Sequence, residues 1–167
     1  LHRAPHRGAA AARNRGFQES KGEYVFFCDA DVRMRPELIG RLVGALHSHP
    51  EASYAYSGFR YGWKSMVALP FDPDRLRIFN YISTMSLIRR ADFPGFDESL
   101  KRFQDWDLWL TLLNKGKRGV AVNEVLFSVQ TGRGSMSQWL PSFAYKRPWR
   151  SLPGIKSRVA RYDEAMK

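Results

Sequence analysis

A short apolar run that ends in two carboxylates is the feature that most constrains this chain. Residues 24–28 are all apolar or aromatic, and Asp29 and Asp31 follow directly. A strand without alternation of polar and apolar residues is typical of the middle of a parallel sheet, where both faces are covered. Because ligands bind beyond the carboxyl ends of such strands, we expect Asp29 and Asp31 to lie at a binding site.

The spacing of Asp29 and Asp31 allows two interpretations. If the chain turns after the strand, both carboxylates can reach one hard cation, such as Mg²⁺ or Mn²⁺, which would hold the phosphates of a nucleotide. Alternatively, the two residues cap the helix that follows, since Asp is common in loops and at helix starts. Taken alone, the Asp-x-Asp pattern favours the capping interpretation.

The rest of the chain alternates predicted helices and strands. Apolar residues at helical spacing, alanine content and terminal Pro or Gly residues predict three helices. These helices cover residues 8–20, 36–49 and 104–114. Aromatic and β-branched runs predict further strands. They cover residues 51–63, 85–88 and 119–130, the last as one or two strands, and the two prolines in residues 69–74 predict a loop.

Five sequence blocks, taken together and in this order, resemble glycosyltransferase family 2. They read GAAAARNRG at 8–16, KGEYVFFCDAD at 21–31, PEL at 36–38, FDE at 96–98 and QDWDLWL at 104–110. The resemblance implies an α/β domain with the GT-A nucleotide-sugar-binding fold, a mixed Rossmann-like sheet flanked by helices. The family's opening strand has no counterpart before Leu1, so we expect a catalytic domain over 1–138 that is incomplete at its N-terminus.

The same resemblance assigns roles to individual residues. Asp105 occupies the position of the catalytic base, and Asp31, with Asp29, occupies the position of the ligands for Mg²⁺ or Mn²⁺. The residues implied to contact the nucleotide-sugar donor are Arg7, Gly8, Arg13, Asp29, Arg133 and Ser135. Family members often carry His where this chain has Gly132. A third metal ligand from the protein is therefore not implied.

Two acidic residues near the start of the last predicted helix need to be distinguished. Asp105 and Asp107 are two positions apart, so on a helix their side chains diverge by about 200° and do not share one site. Both are favoured near a helix N-terminus by the helix dipole. We expect Asp107 to brace the helix or a neighbouring basic group.

The formal net charge of +11 raises the question of a polyanionic partner. The chain carries no signature of a nucleic-acid-binding module, so we expect the N-terminal arginines to face a diphosphate and no nucleic acid to bind. Residues 139–167 mix aromatic and basic side chains, and this extension either contacts membrane headgroups or packs on the domain. The single cysteine, Cys28, excludes an internal disulfide and is expected in the core.

The function implied by the resemblance is the transfer of a sugar from a nucleotide-diphosphate donor, metal-dependent and with inversion. The acceptor would be a saccharide, a lipid-linked molecule or a protein in cell-envelope polysaccharide biosynthesis. We expect a cytoplasmic location, with peripheral contact to the inner face of the membrane as an alternative. The competing function is a non-catalytic remnant that acts as a basic binding module for anionic polymer or membrane. A nucleotidyltransferase is a third candidate, but its glycine-rich donor loop has no counterpart here.

Overall fold

The computed structural model describes residues 7–130, which contain four α-helices and six strands. The helices are α1 (Ala9–Glu19), α2 (Leu38–Ser48), α3 (Pro73–Ile78) and α4 (Gln104–Asn114). The strands are β1 (Tyr24–Phe26), β2 (Val32–Met34), β3 (Ala52–Tyr61), β4 (Lys64–Met66), β5 (Leu87–Arg89) and β6 (Arg118–Val129). The predictions for Arg133, Ser135 and the extension at 139–167 fall outside the described residues.

The six strands form one mixed sheet. Five of the strands follow the order β1-β5-β3-β6-β2. The sixth, β4, lies outside this order and pairs with β3. The long strands β3 and β6 run parallel to each other, and the other pairings are antiparallel. This arrangement agrees with the mixed α/β sheet predicted from the sequence.

Two hydrophobic clusters cover the sheet, and β3 contributes to both. Tyr54 and Tyr56 pack with Trp109 and Leu112 of α4 in one cluster. Ala55, between the two tyrosines, packs with the buried stripe of α2 in the other cluster. Because successive side chains of a strand point to opposite faces, β3 separates the two clusters. The sheet thus carries α4 on one face and α2 on the other.

The apolar run at β1 is covered on both sides. Tyr24 and Phe26 pack against the α2 cluster, whereas Phe27 packs against the α4 cluster. Within residues 7–130 β1 pairs with β5 in the antiparallel direction, and the parallel neighbour expected from the sequence is not among the described strands. Cys28, expected in the core, is exposed at the end of this run.

Several elements match their predicted ranges, and three were not predicted. Helix α4 begins and ends at the predicted residues, and β6 is one continuous strand. Strands β2 and β4 and helix α3 were missed. The signal for α3 was present, because Asp72 caps its first turn by accepting from the Asp74 and Arg75 amides, and Pro73 follows as the first helical residue. Across residues 7–130, none of the helices has the length and apolar character needed to span a bilayer.

Candidate active site

Arg13 connects the end of the β1 segment to the start of α4. Its Nη2 donates to Asp29 Oδ1 at 2.7 Å, and its Nη1 donates to Gln104 Oε1 at 3.3 Å. The Arg13 side chain is only 20% exposed, and its guanidinium carbon lies 5.4 Å from the centroid of the Phe96 ring. The structure therefore brings the strand end that carries Asp29 together with the helix start that carries Asp105.

Asn14, the next residue of α1, bonds the same turn of the helix to residues 96–98. Its side-chain amide accepts from the Phe96 main-chain N–H at 2.8 Å and donates to the Phe96 carbonyl at 2.9 Å. The amide nitrogen also donates to Glu98 Oε1 at 3.0 Å. No role was predicted for Asn14, although an adjacent polar pair, Arg13-Asn14, in an alanine-rich helix is a local signal for one.

Asp105 lies in the first turn of α4, and both of its carboxylate oxygens are hydrogen-bonded. Oδ1 accepts from the Trp106 main-chain N–H at 2.9 Å, and Oδ2 accepts from Asn80 Nδ2 at 2.8 Å. Burial raises the pKa of Asp105 above its ordinary value, and these two donors and the charge of Arg13 only partly oppose that shift. A fixed carboxylate with a raised pKa is suited to accept a proton.

Asp107, two residues further along α4, has different surroundings. Partial burial raises the pKa of Asp107, and the nearby charge of Asp97 raises that pKa further. None of the ion pairs found in residues 7–130 includes Asp107, so the expected bracing contact with a basic group is absent from this part of the chain. The environment of Asp107 disfavours its charge, and among residues 7–130 no side chain bonds its carboxylate as Asn80 bonds that of Asp105.

The residues predicted for the donor side occupy two separate places. Arg7 is 75% exposed and pairs with Glu98 at 3.6 Å, next to Gly8, which precedes α1 with a positive φ of 91°. Arg13, one and a half turns further along α1, is the arginine that contacts Asp29. Of the donor residues within 7–130, the structure thus joins Arg13 and Asp29, while Arg7 and Gly8 lie at the helix start.

Asp29 and Asp31 also differ in their contacts. Asp29 is directed to Arg13, whereas Asp31 is exposed in the turn between β1 and β2. The Asp31 carbonyl accepts from the Gln130 N–H at 2.8 Å, which fixes the turn to the end of β6. Within residues 7–130, no group of three or more His, Cys, Asp or Glu side chains is arranged to hold a metal ion.

Comparison with known sequences identifies the family. Residues 1–94, more than half of the 167-residue chain, match the family described as Glycosyl transferase family 2. The chain belongs to glycosyl transferase family 2. The resemblance inferred from its sequence blocks is confirmed.

Individual relatives agree with membership in glycosyl transferase family 2. An uncharacterized glycosyltransferase of Haemophilus influenzae is 26% identical over 122 residues, which cover 65% of this chain and 42% of the relative. The putative teichuronic acid biosynthesis glycosyltransferase TuaG of Bacillus subtilis is 27% identical over 156 residues, covering 85% of this chain and 60% of TuaG. The chain therefore spans less than two thirds of the length of either relative.

A solved structure supports the fold of this family 2 chain. The crystal structure of S. aureus TarS 1-349 superposes with a TM-score of 0.59 and 20% sequence identity. The match covers 73% of this chain and 40% of the TarS chain. The predicted fold class, a GT-A type mixed sheet flanked by helices, is confirmed.

Proposed function

We propose that this family 2 chain carries the centre at which a sugar is transferred from a nucleoside-diphosphate sugar to an acceptor hydroxyl. The observation that carries the proposal is the juxtaposition of Asp105 with Arg13 and Asp29. It combines a partly buried carboxylate, held on both oxygens, with an arginine that reaches Asp29, just past the strand end where the donor is expected. The two relatives named above are glycosyltransferases by name, which supports the same reaction class.

Asp105 acts as the general base in the proposed reaction. As the acceptor oxygen attacks the anomeric carbon, its proton passes to the Asp105 carboxylate. The new C–O bond forms on the face opposite to the departing phosphate oxygen, so the C–O bond to the diphosphate breaks with inversion. Negative charge grows on the leaving nucleoside diphosphate, and Arg13 lies on that side of the site to stabilise it.

Asp31 is the residue we assign as the protein ligand of Mg²⁺ or Mn²⁺. Its carboxylate is exposed and makes no ion pair within residues 7–130, whereas Asp29 is engaged by Arg13 and is assigned to the donor ribose or a water on the cation. Mg²⁺ commonly uses one or two carboxylates together with substrate phosphates, so this oxygen donor fits. When bound, the cation would supply a Lewis acid for the leaving diphosphate.

The setting of the reaction is part of the proposal, and the name of one relative supports it. TuaG is named for teichuronic acid biosynthesis, which supports a role in cell-envelope polysaccharide biosynthesis, with a saccharide, lipid-linked or protein acceptor. We place the reaction in the cytoplasm, with peripheral contact to the inner face of the membrane. The predicted aromatic and basic extension at 139–167 would supply that contact.

The decisive experiment compares Asp105→Asn with Asp107→Asn in the full-length protein. Release of nucleoside diphosphate is measured over a panel of UDP- and GDP-sugars, and donor affinity is measured by calorimetry. Asp105→Asn keeps the size of the side chain but removes the base, so the rate should fall by about 100-fold or more with little change in donor affinity. If Asp107→Asn abolishes turnover while Asp105→Asn leaves it intact, Asp105 is not the base.

A further inference from the structure

Asn80 is held in a single amide orientation beside Asp105. Its Oδ1 accepts from the Ile82 main-chain N–H at 3.2 Å, and its Nδ2 donates to Asp105 Oδ2 at 2.8 Å. Rotating the amide by 180° would place its oxygen against the carboxylate and its NH₂ group against the Ile82 N–H. Both contacts would then be repulsive. The Ile82 amide therefore determines that Asn80 presents a donor to Asp105.

Two tryptophans of α4 fix the segment that carries Asn80. Trp109 Nε1 donates to the Ile82 carbonyl at 2.9 Å, and Trp106 Nε1 donates to the Leu76 carbonyl at 2.7 Å. Trp106 and Trp109 are three residues apart, so they lie on neighbouring positions of one helix face. The segment before β5 is thus bonded to the helix that carries Asp105, on both sides of Asn80 in the sequence.

The bond from Asn80 completes the fixation of the Asp105 carboxylate. The Trp106 N–H holds Oδ1 from within α4, and Asn80 holds Oδ2 from outside the helix. With a single donor, the carboxylate can turn about the bond to its β-carbon, but with a donor on each oxygen its plane is fixed. The remaining lone pairs are then presented in one direction, as a base requires for a bound hydroxyl.

We propose that Asn80 is a positioning residue for sugar transfer, which orients the carboxylate of Asp105 toward the acceptor hydroxyl. This inference rests on the proposed role of Asp105 as the base. Asn80 itself does not exchange a proton or contact the reacting atoms. Its effect passes through Asp105, and therefore it should affect turnover and leave donor binding unchanged.

The test is a double-mutant cycle in the full-length protein. Asn80→Ala, Asp105→Asn and the double variant are compared by release of nucleoside diphosphate from the UDP- or GDP-sugar that the parent turns over fastest. Asn80→Ala should lower kcat by about 10-fold to 100-fold with donor KM unchanged, the range for loss of a hydrogen bond to a charged group. In the Asp105→Asn background, Asn80→Ala should have no further effect on kcat.

Two more variants separate positioning from folding. Asn80→Asp keeps an oxygen that can accept from Ile82 but replaces the donor to Asp105, so kcat should fall although the segment keeps its bond. Tyr81→Phe is the matched control, because it removes the contacts of the Tyr81 hydroxyl with the Asp72 main chain in the same segment and leaves the Asn80 contacts in place. Its kcat should equal that of the parent, and thermal melting of each variant shows whether it is folded.

Each outcome bears on one of the two claims. If Asp105→Asn lowers kcat but folded Asn80→Ala or Asn80→Asp keeps the parental kcat, Asn80 does not position Asp105, and the role of Asp105 stands. An equal loss from Asn80→Ala with or without Asp105 also overturns the inference. If Asp105→Asn has no effect on kcat, or the parent turns over none of the donors, the proposed function fails and the role of Asn80 fails with it.

Discussion

The guanidinium of Arg13, in α1, donates to the carboxylate of Asp29, in the connection between β1 and β2, across 2.7 Å. The same guanidinium donates to Gln104, the residue before Asp105. One side chain of α1 therefore links the strand end where a donor would bind to the helix start where an acceptor would be activated. In a transferase these two half-sites must be held at a fixed separation, because the attacking oxygen has to meet the anomeric carbon in line.

We predict that Arg13→Ala destabilises the fold and lowers turnover. The mutation leaves Asp29 and Gln104 without their shared donor, and the pair is neither fully exposed nor fully buried. The expected loss in the free energy of unfolding, measured by urea denaturation, is about 1–2 kcal/mol, between the values for surface and buried pairs. Arg15→Ala is the control, because Arg15 forms an exposed pair with Glu19 in the same helix and its loss should cost less than about 0.5 kcal/mol. Equal losses in the two variants would contradict a linking role for Arg13.

We predict that Asp31→Ala removes the part of nucleotide binding that depends on a divalent cation. Calorimetry of the full-length protein with UDP or GDP, with and without Mn²⁺, measures that part directly. The Mn²⁺-dependent gain in affinity should disappear in Asp31→Ala, because the carboxylate is the proposed protein ligand. Glu37→Ala removes another exposed acid close in sequence, one whose side chain does not cap α2, and should leave the gain unchanged. An undiminished gain in Asp31→Ala would show that the cation is held elsewhere.

The pKa shifts of two aspartates predict opposite effects of pH on stability. Burial raises the pKa of Asp105, so its ionisation lowers the stability of the folded state as the pH rises above the ordinary Asp value of about 3.9. The melting temperature of Asp105→Asn minus that of the parent should therefore be larger at neutral pH than at about pH 4. Hydrogen bonds from Ser99 lower the pKa of Asp97, so its stabilising contribution is present at neutral pH and is lost as the pH falls.

Asp97→Asn is the control of opposite sign. Relative to the parent, its melting temperature should be lowest at neutral pH and should recover toward acid. Thermal melts of the parent and both variants at several pH values measure the two slopes. A slope of the same sign for both variants would contradict the burial of Asp105.

The raised pKa of Asp105 also predicts the pH dependence of transfer. Transfer should be lost in acid at a higher pH than with an aspartate base of ordinary pKa, since only the ionised carboxylate accepts a proton.

Local patterns in the sequence were sufficient to predict α4 and β3. The stripe of apolar residues in α4 and the aromatic alternation of β3 each lie within one element, so they could be recognised without knowledge of the fold. The direction of the strand paired with β1 could not be predicted in this way. An unbroken apolar run indicates that both faces of a strand are covered, as Tyr24, Phe26 and Phe27 are here, but it does not show whether the paired strand, β5, runs parallel or antiparallel.

The site was also predicted only in part, because local patterns do not show which elements pack together. Asp29 was found from its position after an apolar run and Asp105 from the resemblance of its sequence block to a known family, and their roles stay predictions. The contact between Arg13 and Gln104 joins residues 91 positions apart, and the bond from Asn80 to Asp105 joins residues 25 positions apart. Such contacts depend on how α1, α4 and the segment before β5 pack together. No local pattern encodes them, because Asn80 in the sequence is one polar residue among aromatic ones.

Two neighbouring tyrosines of β3 allow a last prediction about the core. Tyr54 and Tyr56 are both buried, but only the Tyr56 hydroxyl has a partner within residues 7–130, the Leu69 carbonyl at 2.8 Å. Tyr56→Phe should therefore lower the free energy of unfolding by about 1–2 kcal/mol, because it leaves that carbonyl without its donor. Tyr54→Phe should leave the free energy of unfolding unchanged or raise it, because it removes an unsatisfied polar atom and keeps the ring stacked on Trp109 at 4.7 Å. Urea denaturation of both variants measures the difference. If Tyr54→Phe costs as much as Tyr56→Phe, the Tyr54 hydroxyl has a bonding partner in the folded protein and the packing of α4 on β3 must differ from the one described.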